Sequence, residues 1–157
     1  MKLEAKVLTV SDGVFHGVRE DRSGVALREQ LDAAGWAVVD QRVVEDGTAS
    51  VADALAAMSE GFAGLIVTTG GTGFGPRDLT PEGTRSILER EAPGIAEATR
   101  LVNPAPGRLS RGVAGTRGTA LIINTPGSPK GCVECLGAVL DVVPHALSLM
   151  TGETTIH

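Results

Sequence analysis

Four apolar runs punctuate the chain: Val7–Val10, Ala37–Val44, Leu65–Thr69 and Ala120–Asn124. Each is nearly continuous rather than alternating, the pattern of strands buried on both faces of a sheet. Between them, apolar residues recur at helical spacing. Val25, Leu27, Leu31 and Ala34 fall largely on one helical face and stop at Gly35, a C-cap residue. Val51, Leu55, Met58 and Phe62 form a second stripe, with Ser50 as the expected N-cap and Asp53 three residues on. Thr80 is the expected cap of a third helix, with Pro81 at its first position. Pro93-Gly94 is expected to break that helix and a further one to run from near Ile95 to about Val102. Asn103–Gly107 reads as a Pro-rich loop. Leu109–Thr116 is short and Gly-spaced, and Arg117-Gly118 turns it back against Ala120–Asn124 as a hairpin. The last stripe is Cys132, Leu136, Val139, Val143, Leu147 and Met150, with Pro144 expected to kink or restart the helix.

Strands that alternate with helices predict a three-layer α/β/α fold, with a mostly parallel sheet and an antiparallel edge hairpin. At 157 residues the chain makes one domain, with no repeats or linkers. Aromatics are confined to Phe15, Trp36, Phe62 and Phe74, so the core is aliphatic and base-stacking platforms are absent. That scarcity and a net charge of −5 argue against a nucleic-acid surface or an anionic-membrane surface. No apolar run approaches a bilayer span, and no long apolar stretch precedes Asp12, so neither a membrane helix nor a signal peptide is expected. The expected compartment is the cytoplasm. Cys132 and Cys135 form a C-x-x-C, but His16, His145 and His157 supply no paired metal spacing; small hydrophobes on a helix are the better reading.

In such folds, ligands bind at the carboxyl ends of the strands. Those ends read Thr9-Val10-Ser11-Asp12-Gly13, Glu45-Asp46-Gly47, Thr69-Gly70-Gly71-Thr72-Gly73-Phe74-Gly75-Pro76-Arg77-Asp78, and Asn124-Thr125-Pro126-Gly127-Ser128-Pro129-Lys130-Gly131. A parallel sheet brings them to one edge. The glycine-dense third loop, entering a helix, suits a phosphate bound by backbone N–H groups. It is not a P-loop, because Pro76-Arg77 stands where Lys-Ser/Thr is required. It is not a dinucleotide fingerprint either, because Pro76 takes the place of the third glycine. Asp46 and Asp78 are candidates for Mg²⁺, which is held by one or two carboxylates plus substrate phosphates and would reconcile acids with a phosphate site. The plainer alternatives are a turn residue at Asp46, and a helix-leading acid or a partner for Arg77 at Asp78. Lys130 at a helix start is a cation placed against the dipole, which suggests an anion nearby. Ser110-Arg111 adds a hydroxyl and a cation, or merely a hairpin surface.

Together these motifs resemble the molybdopterin-binding family of molybdenum-cofactor biosynthesis. The likeness is carried by Thr9–Asp12, Thr69–Gly73, Arg77–Glu82, Pro93-Gly94, Ser110-Arg111 and Asn124–Lys130, in family order over nearly the whole chain. In this family, molybdopterin adenylyltransferases use Mg-ATP to adenylate the phosphate of molybdopterin and release pyrophosphate; similar paralogues are regarded as binding proteins. The resemblance implies a nucleotidyltransferase, with a non-catalytic molybdopterin carrier as the alternative. A domain that cleaves nucleotide pyrophosphates shares the fold. The resemblance further implies Mg²⁺ as cofactor and molybdopterin and ATP as partners. A homotrimer is expected, with a molybdenum-insertion protein as a candidate partner. It places the two important aspartates on Asp46 and Asp78. It puts substrate contacts on Ser11, Asp12, Gly70, Gly71, Thr72, Gly73, Ser110, Asn124, Pro126, Gly127, Ser128, Pro129 and Lys130.

Overall fold

A computed structural model of the chain describes residues 2–153, so His157 lies outside the described residues. Its six-stranded sheet runs in the order β2 (Ala37–Val44), β1 (Glu4–Val10), β3 (Gly64–Thr69), β6 (Ala120–Thr125), β5 (Ala114–Arg117), β4 (Arg90–Glu91). The first four are parallel; β5 and β4 continue the sheet antiparallel. The expected three-layer fold and edge hairpin are both present. β3 and β6 are buried along their whole length, as their unbroken apolar runs require.

Alternate side chains of the inner strands feed two cores. Val7, Leu65, Val67, Leu121 and Ile123 pack beneath α2 (Arg22–Ala33), α5 (Pro93–Leu101), α7 (Pro129–Gly137) and α8 (Val143–Met150). Leu8, Val10, Ile66 and Ile122 point the other way, toward α3 (Thr48–Ser59) and α4 (Thr80–Ile87). The chain leaves β1 toward β2, then returns to lay β3 on the other side of β1. A crevice opens at such a reversal, outside the carboxyl ends of the two strands. Among the described residues, no helix is long and apolar enough to cross a membrane.

Several local expectations are corrected. α3 begins at Thr48 after Gly47, because the Ser50 hydroxyl donates back to the carbonyls of Glu45 (2.7 Å) and Gly47 (3.0 Å) instead of capping. Thr80 opens α4 without capping it: its hydroxyl donates to Gly70 O (2.9 Å). α4 stops at Ile87, and Arg90–Glu91 add a short edge strand opposite Thr116 and Gly115. Pro93 then starts α5 rather than breaking a helix, since its fixed φ suits a first turn. The segment Pro104–Gly107 is a one-turn helix, α6. Pro144 lies in the first turn of a new helix, which restarts after α7. The first short helix, α1 (Asp12–Phe15), follows β1 directly.

A polar network laces the carboxyl ends of β3 and β6. Asn124 is buried; its amide donates to Thr68 Oγ1 and Thr84 Oγ1, both at 3.0 Å, and accepts from Val113 N at 3.1 Å. The Thr125 hydroxyl donates to Thr68 O at 2.7 Å, and that of Thr69 to Pro126 O at 2.8 Å. Asn124→Ala leaves a buried N–H without its acceptor and opens a small void. It should lower stability by about 2–3 kcal/mol, read as a lower urea midpoint at unchanged m-value. A shift below about 0.5 kcal/mol, the scale of an ordinary surface change, would show that the network holds nothing.

Candidate functional site

A cavity of about 860 Å³ fills the crevice at the ends of β1 and β3. Its walls come from the β1 end (Thr9–Ser11), Asp46 after β2, the glycine loop after β3, the α1–α2 segment and the entry to α7.

Three of these segments are locked by one cluster. Asp12 N donates to Asp46 Oδ2 at 2.9 Å, and Asp46 N returns a bond to Asp12 Oδ1 at 3.1 Å. Arg77, from the far end of the glycine loop, closes the cluster. Its Nε donates to Asp12 Oδ2 (2.6 Å), and Nη2 donates to Asp12 Oδ1 (3.0 Å) and Asp46 O (3.0 Å). Arg77 therefore partners Asp12, not its neighbour Asp78. The guanidinium holds the Asp12 carboxyl below its ordinary range. Asp46 is pushed up, chiefly by burial and further by the charges of Asp12 and Asp78, against the hydrogen bond from Asp12 N.

The glycine loop lies where only a bare backbone fits. Gly70 and Gly71 have φ of 99° and 69°, and a Cβ on either would come within 2.2 Å of Val10 O or Thr80 Oγ1. Arg111 grips the loop: its N–H donates to Thr72 O (2.9 Å), Nε to Gly73 O (2.7 Å) and Nη2 to Asp78 O (2.5 Å). Nη1 donates to Glu82 (2.7 Å), which holds the Glu82 carboxyl below its ordinary range. Among the described residues, the N–H groups of Gly71, Thr72 and Gly73 find no protein acceptor. Of the three, Gly71 lines the cavity.

Asp46 and Asp78 both line the cavity. Each is steadied through Oδ2, Asp46 by Asp12 N and Asp78 by Gly75 N (2.8 Å), while among the described residues neither Oδ1 accepts a hydrogen bond. Asp46 Oδ1 lies against Gly71, 3.3 Å from where a Cβ would stand. Two held carboxylates with one free oxygen each fit a small hard cation completed by phosphate oxygens. Another acidic cluster, Asp12, His16 and Glu45, has its ligand atoms within 4.8 Å of one another, but both Asp12 oxygens are already taken by Arg77.

The other expected site residues divide by position. Ser11, Gly70, Gly71, Gly127, Ser128 and Pro129 line the cavity beside the two acids. Ser11 caps α1 by accepting from Val14 N, and Ser128 caps α7 by accepting from Gly131 N. Gly127 rests on Gly70, where its Cβ would lie 3.4 Å from Gly70 Cα. Asp12, Thr72, Gly73 and Pro126 stand behind the wall, engaged in the contacts above. Asn124 spends its amide inward, beneath the cavity. Ser110 lines a separate cleft with Arg85 and Arg100, its hydroxyl accepting from Gly112 N. Lys130 is exposed on α7, outside the wall. Sequence reasoning missed Arg19, Arg22 and Ser23 on the α1–α2 segment, and the loop-gripping role of Arg111. Two cations soon after a strand end were the available signal. The cysteines are packed thiols: burial pushes Cys132 up to about 11, and its Sγ lies 3.3 Å from Pro129 O.

These shifts set opposite pH dependences. A depressed Asp12 contributes stability that is present above its ordinary value of 3.8 and lost as pH falls through the folded-state pKa. A raised Asp46 does the reverse: its burial cost at neutral pH is relieved as pH falls through a pKa above 3.8. Carboxyl carbon NMR should find Asp12 titrating below 3.8 and Asp46 above it. In Arg77→Ala, Asp12 should move up. An unchanged Asp12 midpoint in that variant would dismiss the guanidinium as the cause.

With this geometry in place, the comparisons with known proteins are specific. Residues 6–145 match the family model described as a probable molybdopterin binding domain. The molybdopterin adenylyltransferase of Helicobacter pylori strain J99 is 38% identical over 152 residues, spanning 93% of this chain and 86% of that protein. The crystal structure of the molybdopterin biosynthesis enzyme MoaB of Thermus thermophilus superposes with a TM-score of 0.88 at 50% identity, covering 96% of this chain and 97% of that one. The molybdopterin biosynthesis Mog protein of Mycobacterium ulcerans superposes at 0.87 with 38% identity, covering 94% and 99%. A family model over most of the chain, a relative of this identity and two superposable folds agree: the chain belongs to the molybdopterin-binding domain family of molybdenum-cofactor biosynthesis.

Proposed function

We propose that this protein is a molybdopterin adenylyltransferase, joining AMP from ATP to the phosphate of molybdopterin and releasing pyrophosphate. One observation carries the reading. Two carboxylates from different strand ends line the same cavity as a glycine loop with an unsatisfied N–H. A phosphate site and a cation site side by side are what a reaction between two phosphate esters requires. The names of the relatives supply the pterin.

The molybdopterin phosphate is held beside Gly71 and at the entry to α7, where a free backbone donor and the helix N-terminus favour an anion. Its oxyanion attacks the α-phosphorus of ATP. The bond from that phosphorus to the bridging oxygen breaks, and pyrophosphate leaves with the electron pair. No proton has to move. Asp46 and Asp78 would hold Mg²⁺, which supplies charge neutralisation and alignment of the phosphates. The chain itself contributes positioning: Arg111 and Thr80 hold the glycine loop, and the Asp12–Arg77 pair holds Asp46 against it. We extend the proposal to a cytoplasmic homotrimer, the assembly that the family resemblance implies. Exposed Phe74, Leu101 and Leu109 are side chains that an assembly would cover.

Asp78→Asn should cut pyrophosphate release from ATP by about a hundredfold or more, in line with loss of one preorganised charge contact, while molybdopterin binding persists. Release in the wild type should require both molybdopterin and Mg²⁺. Tight pterin binding with no release in the wild type would identify a carrier instead. Hydrolysis of ATP without pterin would identify a nucleotide pyrophosphatase.

A further inference from the structure

The proposed reaction brings three charged groups together: an acceptor phosphate, a divalent cation and a departing pyrophosphate. The glycine loop and the Asp46–Asp78 pair answer the first two. The third has a place on the α1–α2 segment. Most arginines of this chain donate to a protein acceptor; among the described residues Arg19, Arg22 and Arg90 do not. Two of those three line this one cavity.

Their surroundings keep them free for an anion. Arg19 lies across Gly13, where a Cβ would meet its Nε at 3.3 Å and its Cδ at 3.6 Å, so the stem is seated while the head stays unpaired. Arg22 is the first residue of the twelve-residue α2, a position where the helix dipole disfavours a cation. The neighbouring acid forms no ion pair with it: Asp21 accepts from Thr9 Oγ1 (2.9 and 3.0 Å) and Gly24 N (2.9 Å). Gly24 is required there, since a Cβ would sit 2.4 Å from the Asp21 carboxylate. Glu20 also lines the cavity and forms no ion pair with either arginine.

We propose that Arg19 and Arg22 form a polyphosphate grip that takes the two outer phosphates of the nucleotide, the part that leaves as pyrophosphate. This rests on the adenylyl-transfer reading above. Two guanidinium forks suit adjacent phosphates, each offering paired N–H donors to phosphate oxygens. A single acceptor phosphate is already served by the glycine loop. Charge gathers on the leaving pyrophosphate as the bond breaks, so the grip favours the transition state as well as the bound nucleotide.

The test titrates inorganic pyrophosphate into the full chain by calorimetry in EDTA, which keeps Asp46 and Asp78 from acting through a metal. The wild type should bind. The Arg19→Ala/Arg22→Ala double variant should bind at least about tenfold more weakly for each guanidinium removed, the scale of hydrogen bonds to charged groups. In the pyrophosphate-release assay the same variant should show a raised KM for ATP. Its molybdopterin affinity should match the wild type, which also reports that it folds. No pyrophosphate binding by the wild type, undiminished binding by the double variant, or a loss confined to molybdopterin would each overturn the grip. Arginine-dependent pyrophosphate binding in a wild type that releases none from ATP would keep the grip and sink the adenylyl-transfer reading.

Discussion

The reciprocal bonds between Asp12 and Asp46, closed by the Arg77 guanidinium, are the constraint on which the cavity depends. Strand ends in a parallel sheet converge by topology, but their loops are free to splay. Here the loops after β1, β2 and β3 are tied at one point by five hydrogen bonds of 2.6–3.1 Å. Two of the five join backbone to carboxylate in both directions, so neither aspartate can turn without releasing the other. Asp46 is thereby held with one oxygen facing the cavity beside Gly71.

The same cluster explains why acids and a phosphate-type loop coexist. Arg77 neutralises Asp12, which leaves Asp46 and Asp78, with Glu20 on the α1–α2 segment, as the carboxylates of the wall. Arg111 acts as a second brace from the other side, taking the carbonyls of Thr72, Gly73 and Asp78. In the same loop the Gly71 N–H has no protein acceptor among the described residues. Arg19 and Arg22 add two guanidinium groups to the α1–α2 wall, beside Glu20. The cavity thus gathers a backbone donor at Gly71, carboxylates at Asp46 and Asp78, and guanidinium groups at Arg19 and Arg22, drawn from three segments of chain.

Much of the fold was legible in the sequence, and the reason is burial. Strands β3 and β6 are covered on both faces, so their apolar runs have no other reading. The hairpin was announced by Arg117-Gly118, where Gly118 takes a φ of 58°. The two-residue β4 was illegible because so short a strand has no period, and its pairing with β5 is long-range. Ser50 and Thr80 carried cap signals, yet their hydroxyls donate to loop carbonyls, a competition that local sequence does not reveal. In the site, the glycine loop and the two acids were readable from residue type and position at strand ends. The Arg77–Asp12 pair spans 65 positions, and no local rule predicts it over the neighbouring Asp78. Asn124 stood in a promising loop, but its amide is drawn inward by Thr68, Thr84 and Val113.

The most direct measurement is a crystal structure of the protein with molybdopterin, Mg²⁺ and an ATP analogue whose α–β bridge cannot be cleaved. If the three tied loops form one reaction site, the metal will bond to both Asp46 and Asp78. The molybdopterin phosphate will then lie on the Gly70–Gly71 backbone, facing the α-phosphorus. A nucleotide seated in the cleft beside Arg85 and Arg100, or a metal that touches neither acid, would contradict it.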